Sequence, residues 1–222
     1  MGNVESLSYF APELILTATL VAVLLADILG AERAPWDVTG VVALFGTVVA
    51  FLFHLGLYGR QPTPLFEGML AHDMFSAFFR GFFLFCTGVI IYISMFTSEV
   101  ISLKKGEYYA ILLSTTIGMC VAASSYNLVV IYLALELMSL GSYVLAGFSR
   151  RIGRSEEAAL KYVLYGGVST GVMLFGLTLL YGLTGSLSFE GVRAGLEAAG
   201  GRIDLAAYVI FIFILAGAGY KI

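Results

Sequence analysis

Apolar stretches of about 18 to 24 residues recur along this chain between short polar breaks, and each is long enough for a helix to cross a hydrocarbon layer about 30 Å thick. The first runs from residue 11 to 29, with Pro12 in the opening turn, where a helix tolerates proline. A loop with Glu32, Arg33 and Pro35 leads to a second, residues 38 to 58. Residues 60 to 73, RQPTPLFEGMLAHD, hold Pro62 and Pro64 and read as an extended loop. A phenylalanine-rich third stretch covers residues 74 to 97. Lys104 and Lys105 mark the turn into a fourth, residues 107 to 124, and the brief SSYN break leads to a fifth, residues 127 to 149. After the charged segment RRIGRSEE comes a sixth, from about Ala158 to Tyr181. Residues 183 to 204 are polar and Gly-rich, with a short amphipathic helix expected around residues 189 to 199. Residues 205 to 222 begin a seventh stretch.

Composition agrees with the pattern: 59% of the 222 residues are hydrophobic and 12% charged, against about 25% charged in globular proteins. The expected class is an all-α polytopic membrane protein with about seven transmembrane helices. A net charge of -3 without a basic patch excludes a nucleic-acid partner. Cys86 and Cys120 each sit in an apolar run, without metal-site spacing, and read as core residues. The N-terminus lacks the basic region and cleavage site of a signal peptide. Basic residues divide unevenly between alternate loops: Arg33, Lys104, Lys105, Arg150, Arg151 and Arg154 against Arg60, Arg193 and Arg202. Because cytoplasmic loops carry the excess, this split puts the N-terminus outside.

Few ionisable groups remain inside the stretches, and a charge near mid-bilayer costs about 2.5 to 3.5 kcal/mol on insertion scales. Glu136 and Lys161 interrupt the fifth and sixth stretches, and Lys221 lies 16 residues into the seventh. Either lysine can pair with Glu136 on depth alone. Low dielectric favours the neutral forms of acids and bases, whereas an ion pair favours the charged ones, so a separable Glu–Lys pair is a usable proton switch. The competing reading is a static ion pair that fixes helix packing. Arg80 reads as structural, snorkelling to the interface or meeting an acid, and His54 as an interfacial residue. Gly167 and Gly171 form a GxxxG at which a neighbouring helix can approach closely.

The wording of three segments goes further. YLALELMSLGSYVLAGF, RSEEAALKYVLYGGVSTGVMLFGLTLLYGLTGSL and the terminal GAGYKI resemble the subunit N family of bacterial NADH-quinone oxidoreductase, respiratory complex I. The similarity extends to the opening APELIL. It implies a proton-translocating membrane subunit of a translocase, driven by quinone reduction elsewhere and carrying no redox cofactor. NADH, FMN, iron-sulfur clusters and quinone would belong to partner subunits. It matches Glu136, Lys161 and Lys221 to the family's proton-transfer positions, with Ala216 to Gly219 fitting an interrupted seventh helix. Residues 1–106 would be three leading helices. Residues 107–222 would be the incomplete first of two inverted repeats, its last helix truncated. Other antiporter-like subunits of complex I are the implied partners, and the bacterial inner membrane the location. The alternatives are a multisubunit cation/proton antiporter subunit and a noncatalytic assembly subunit.

Overall fold

The computed structural model describes residues 3–30, 37–97, 105–148, 153–198 and 205–221. All seven predicted stretches are helical. After a short α1, Asn3–Tyr9, come α2, Ala11–Ile28, and α3, Val38–Leu57. Asp37 starts α3 by accepting a 2.9 Å hydrogen bond from the Gly40 N–H, one of the donors that a helix N-terminus leaves open. Helix α4, Met74–Phe96, opens with a reciprocal cap between Asp73 and Ser76. Then follow α5, Lys105–Ser124; α6, Leu128–Ala146; α7, Gly153–Thr184; the short α8, Phe189–Ala198; and α9, Leu205–Gly219.

Five of these, α2, α3, α4, α6 and α7, are long and apolar enough to cross a membrane, and α9 is a shorter apolar helix. Helix α5, the fourth predicted span, is more polar for a physical reason. It packs against α2, α3, α4 and α6, so it has little surface to offer lipid. Its hydroxyls are satisfied locally: Thr115 and Thr116 donate to carbonyls four residues back, and Thr116 also meets Thr87 of α4 at 2.8 Å. Around it, Leu16, Val23, Ala43, Ala50, Leu84, Ile91, Tyr109, Leu113 and Cys120 form the core. Cys120 is buried as expected, whereas Cys86 is only half-buried.

Two expectations are corrected. Residues 60 to 73 contain a small antiparallel hairpin, β1 Thr63–Leu65 paired with β2 Leu70–His72. A tight turn with positive φ at Phe66, Glu67 and Gly68 closes it, a conformation that only Gly68 advertises in the sequence. The charged segment before the sixth stretch contributes to α7, which starts at Gly153 and runs 32 residues, about 48 Å. His54, three residues from the end of α3, is buried beside α4, its Nε2 2.8 Å from the Ala77 carbonyl oxygen. Among the described residues, nothing lies within 4 Å of a side chain placed at Gly167 or Gly171, so that face is open to a neighbour.

The loops at the hairpin end are stitched together. Leu70 bridges Ser125 and Asn127 bridges Ser188, while the Tyr126 N–H donates to the Met69 carbonyl and the Leu128 N–H to the Leu187 carbonyl, both at 2.9 Å. This seam fixes where α6 begins and α7 ends, and so sets the register between them. At the opposite end, Tyr108 packs edge-on against Phe148, and Ser155 donates to the Ala146 carbonyl at 2.7 Å.

Candidate proton-transfer site

Glu136 lies near the middle of α6, about 12 Å of helix rise from its start and about 15 Å from its end. Two close approaches bring other groups to it. Gly166 of α7 lies directly beneath the Tyr143 side chain, and Tyr143 meets Tyr162 edge-on at 4.5 Å, which ties α6 to α7. Gly217 of α9 lies against α7: a methyl group there would run into Met173 and come within 2.7 Å of the Ser169 carbonyl oxygen. Ser169 in turn donates to the Gly217 carbonyl at 2.7 Å. Just past this contact the chain turns, the Lys221 N–H bonding to the Ala218 carbonyl at 2.9 Å.

The Lys221 ammonium is thereby delivered to Glu136 Oε1, with which it forms an ion pair, and it also donates to Ser139 Oγ at 3.1 Å. Thr170 Oγ1 lies 2.7 Å from the same carboxylate oxygen. The side chain of Lys221 is 7% exposed and that of Glu136 24%. The geometry answers the question that depth left open, since Lys221 is the partner. Lys161 is elsewhere: it pairs with Glu157, one turn back on α7, with both side chains more than 60% exposed. It lies nine residues from Thr170, about 13 Å nearer the end where α7 begins. Of the three expected residues, the fold brings two together and leaves the third on an outward face. Sequence reasoning missed Ser139 and Thr170. Ser139 was findable, three residues from Glu136 on one helix face; Thr170 depends on inter-helix register.

A second charged pair lies apart from this site. Arg80 Nε donates to Glu13 Oε1 at 2.6 Å, Nη2 reaches Glu13 Oε2, and Nη2 also donates to the Tyr9 carbonyl at 3.1 Å. Both side chains are 1% exposed. Arg80 thus meets an acid, joining α4 to α2. Among the groups outside the spans, burial and the nearby Arg80 charge push His72 below its usual value. Burial alone would raise Asp37, but the Gly40 N–H, Tyr109 and Thr39 hydroxyls and Lys105 outweigh it and hold the carboxyl low. Among the described residues, no cluster of His, Cys, Asp or Glu could hold a metal ion.

A family profile described as the transmembrane part of NADH:quinone oxidoreductase and Mrp antiporter proteins matches residues 125–222, the segment that contains Glu136, Lys161 and Lys221. Subunit N 2 of NADH-quinone oxidoreductase from Sorangium cellulosum is 38% identical over 234 residues, an alignment covering 100% of this chain and 46% of the relative. The chain belongs to this membrane-subunit family. The Anaeromyxobacter subunit N is 37% identical, with 99% of this chain and 44% of the relative covered. Respiratory complex I from Thermus thermophilus contains a chain that superposes with a TM-score of 0.71 at 28% identity, over 94% of this chain and 43% of that one. The chain therefore spans about half the length of the relatives it matches.

Family membership agrees with the all-α membrane architecture. Of the basic residues that set the expected orientation, Arg33, Lys104, Arg150, Arg151 and Arg202 lie outside the described residues. Lys105 and Arg154 open α5 and α7 at one end of the bundle, and Arg60 and Arg193 lie at the other.

Proposed function

We propose that this chain is part of a proton-translocating membrane subunit of an NADH-quinone oxidoreductase, in which Glu136 and Lys221 form the protonatable pair that couples proton movement to quinone reduction in other subunits. The observation that carries the reading is the Glu136–Lys221 ion pair, held between α6, α7 and α9 with Ser139 and Thr170 hydroxyls at hydrogen-bond distance. An acid and a base in contact inside a low-dielectric bundle share one mobile proton. Whatever separates them changes the charge each prefers to carry. Lys161 takes the next step towards the end that bears Lys105 and Arg154. Its support is its position along α7 and its place in the matched segment.

In this reading that end faces the cytoplasm of a bacterial inner membrane and the N-terminus lies outside, following the excess of basic residues. The electron-transfer groups, NADH, FMN, iron-sulfur clusters and quinone, are assigned to partner subunits, and the neighbours of this chain are other membrane subunits of the complex. The test is proton pumping measured beside NADH-quinone electron transfer in vesicles carrying Glu136→Gln in the intact complex. Normal assembly with both rates reduced supports the pump. Normal assembly with both rates at wild type reduces Glu136 to a packing residue. The profile's Mrp antiporter half favours one second reading, cation/proton exchange. Sodium-dependent proton movement without NADH or quinone distinguishes it.

A further inference from the structure

Thr170 holds two acceptors with one hydrogen. Its Oγ1 is 2.7 Å from Glu136 Oε1 and 2.9 Å from the Gly166 carbonyl oxygen, and the residue is buried. Thr178 of the same helix shows the ordinary state: it donates to the carbonyl four residues back, at 2.9 Å, and faces outward. Thr170 makes that same intrahelical contact and reaches the carboxylate as well. A carboxylate only accepts, so beside ionised Glu136 the hydroxyl hydrogen must point at Oε1. A neutral carboxyl has a hydrogen of its own to donate. Thr170 Oγ1 can then accept it and turn its own hydrogen to the Gly166 carbonyl.

We propose that Thr170 is a positioning residue for proton transfer at Glu136, rotating its hydroxyl between the carboxyl and the Gly166 carbonyl as Glu136 releases and takes up a proton. This rests on the reading of Glu136 and Lys221 as a proton-sharing pair. When the proton moves from the Lys221 ammonium to Glu136 Oε1, a neutral amine and a neutral carboxyl remain; the new O–H turns from Nζ to Thr170 Oγ1 about its C–O bond, and no heavy atom of Thr170 has to move. Both states keep a hydrogen bond, but the one to the ionised carboxylate is the stronger. Thr170 therefore favours the charged form of Glu136, and its removal favours the neutral form.

The experiment uses dicyclohexylcarbodiimide, which reacts with neutral carboxyl groups, on the intact complex in resting membranes, and reads labelling on the Glu136 peptide by mass spectrometry. Thr170→Val keeps the shape and loses the hydroxyl; Glu136 should label about tenfold faster. Thr170→Ser should label at the wild-type rate, and Thr170→Cys, with its weak S–H donor, in between. A wild-type rate in Thr170→Val, or equal rates in Thr170→Ser and Thr170→Val, overturns the proposal, the latter assigning the effect to the methyl group. If Thr170→Val does not assemble, a wild-type rate in Thr170→Cys overturns it instead. Labelling needs no turnover, so the result stands apart from the pumping test. Intact pumping in Glu136→Gln removes the pump reading without deciding whether Thr170 sets the charge of Glu136.

Discussion

Breaking one partner of the Glu13–Arg80 pair should destabilise the protein far more than removing both. Arg80→Met leaves the Glu13 carboxylate buried without its two guanidinium donors, and leaves the Tyr9 carbonyl without one. With both side chains 1% exposed, water cannot replace what is lost. Removing one member of such a buried pair costs about 3 to 5 kcal/mol. For a chain of this size that corresponds to a fall in Tm on the order of 10 °C. The double variant Glu13→Leu with Arg80→Met puts apolar groups of similar volume in the same space. Because the desolvation penalty of the two charges disappears with them, most of the loss should be recovered, leaving about 1 kcal/mol for the orphaned Tyr9 carbonyl.

The assay is thermal unfolding of the purified complex containing each variant, combined as a double-mutant cycle. A coupling energy of about 2 kcal/mol or more is expected, in the direction that makes the double variant better than the sum. Additive losses would show that the two side chains do not depend on each other, and would refute the assignment of this contact as the link between α2 and α4. The exposed Glu157–Lys161 pair is an internal control, since pairs of that kind contribute about 1 kcal/mol or less.

Two glycines one turn of logic apart give the next test: Gly217→Ala should lower stability by about 1 to 3 kcal/mol and weaken the Lys221 contact, because a methyl group there meets Met173 and the Ser169 carbonyl, whereas Gly167→Ala should be silent. Thermal melts and the Glu136 labelling rate measure both, and an equal loss in the two variants would refute the packing argument. Asp37 gives a pH prediction. Its folded value lies below its usual one, so its stabilisation is present above the unfolded value of about 3.9 and is lost as pH falls through the folded value. Tyr109→Phe removes one donor to Asp37, the hydroxyl at 2.9 Å. It should cost about 1.5 to 3 kcal/mol at neutral pH and bring the acid loss of stability to higher pH, as unfolding followed between pH 3 and 7 will show.

What the sequence made legible followed from one-dimensional patterns. The positions of the apolar stretches and the isolated Glu136 are features of consecutive residues, and the helices lie where those features put them, although residues 153–157 of the charged break before the sixth stretch belong to α7. Helix α5 shows the first limit: a span surrounded by other helices needs no apolar exterior, so its Ser, Thr and Gly content reflects neighbours that its own residues do not name. The hairpin shows a second. Its turn places Phe66 and Glu67 at positive φ, residues that do not favour that region, and tertiary contacts such as Phe10 against Phe66 at 5.6 Å hold what local preference would not.

The site shows the deepest limit. Glu136, Ser139 and Thr170 come from two helices and Lys221 from the turn that follows a third, with up to 85 positions between them. Their meeting depends on the depth at which α9 crosses α7. That depth is set at Gly217, where the absence of a side chain lets the helices touch, while a side chain at the more conspicuous Gly167 or Gly171 would meet nothing within 4 Å among the described residues. A GxxxG spacing says that a helix can be approached, and not from which side or by which partner. The same reasoning ranks the residues of the site. Lys221 reaches Glu136 only if α9 seats on Ser169 and Met173, and Thr170 reaches it only if Tyr143 seats on Gly166. The contacts that Glu136 makes therefore depend on two packing contacts as well as on its ionic partner, and a small shift of either helix would change them without moving α6.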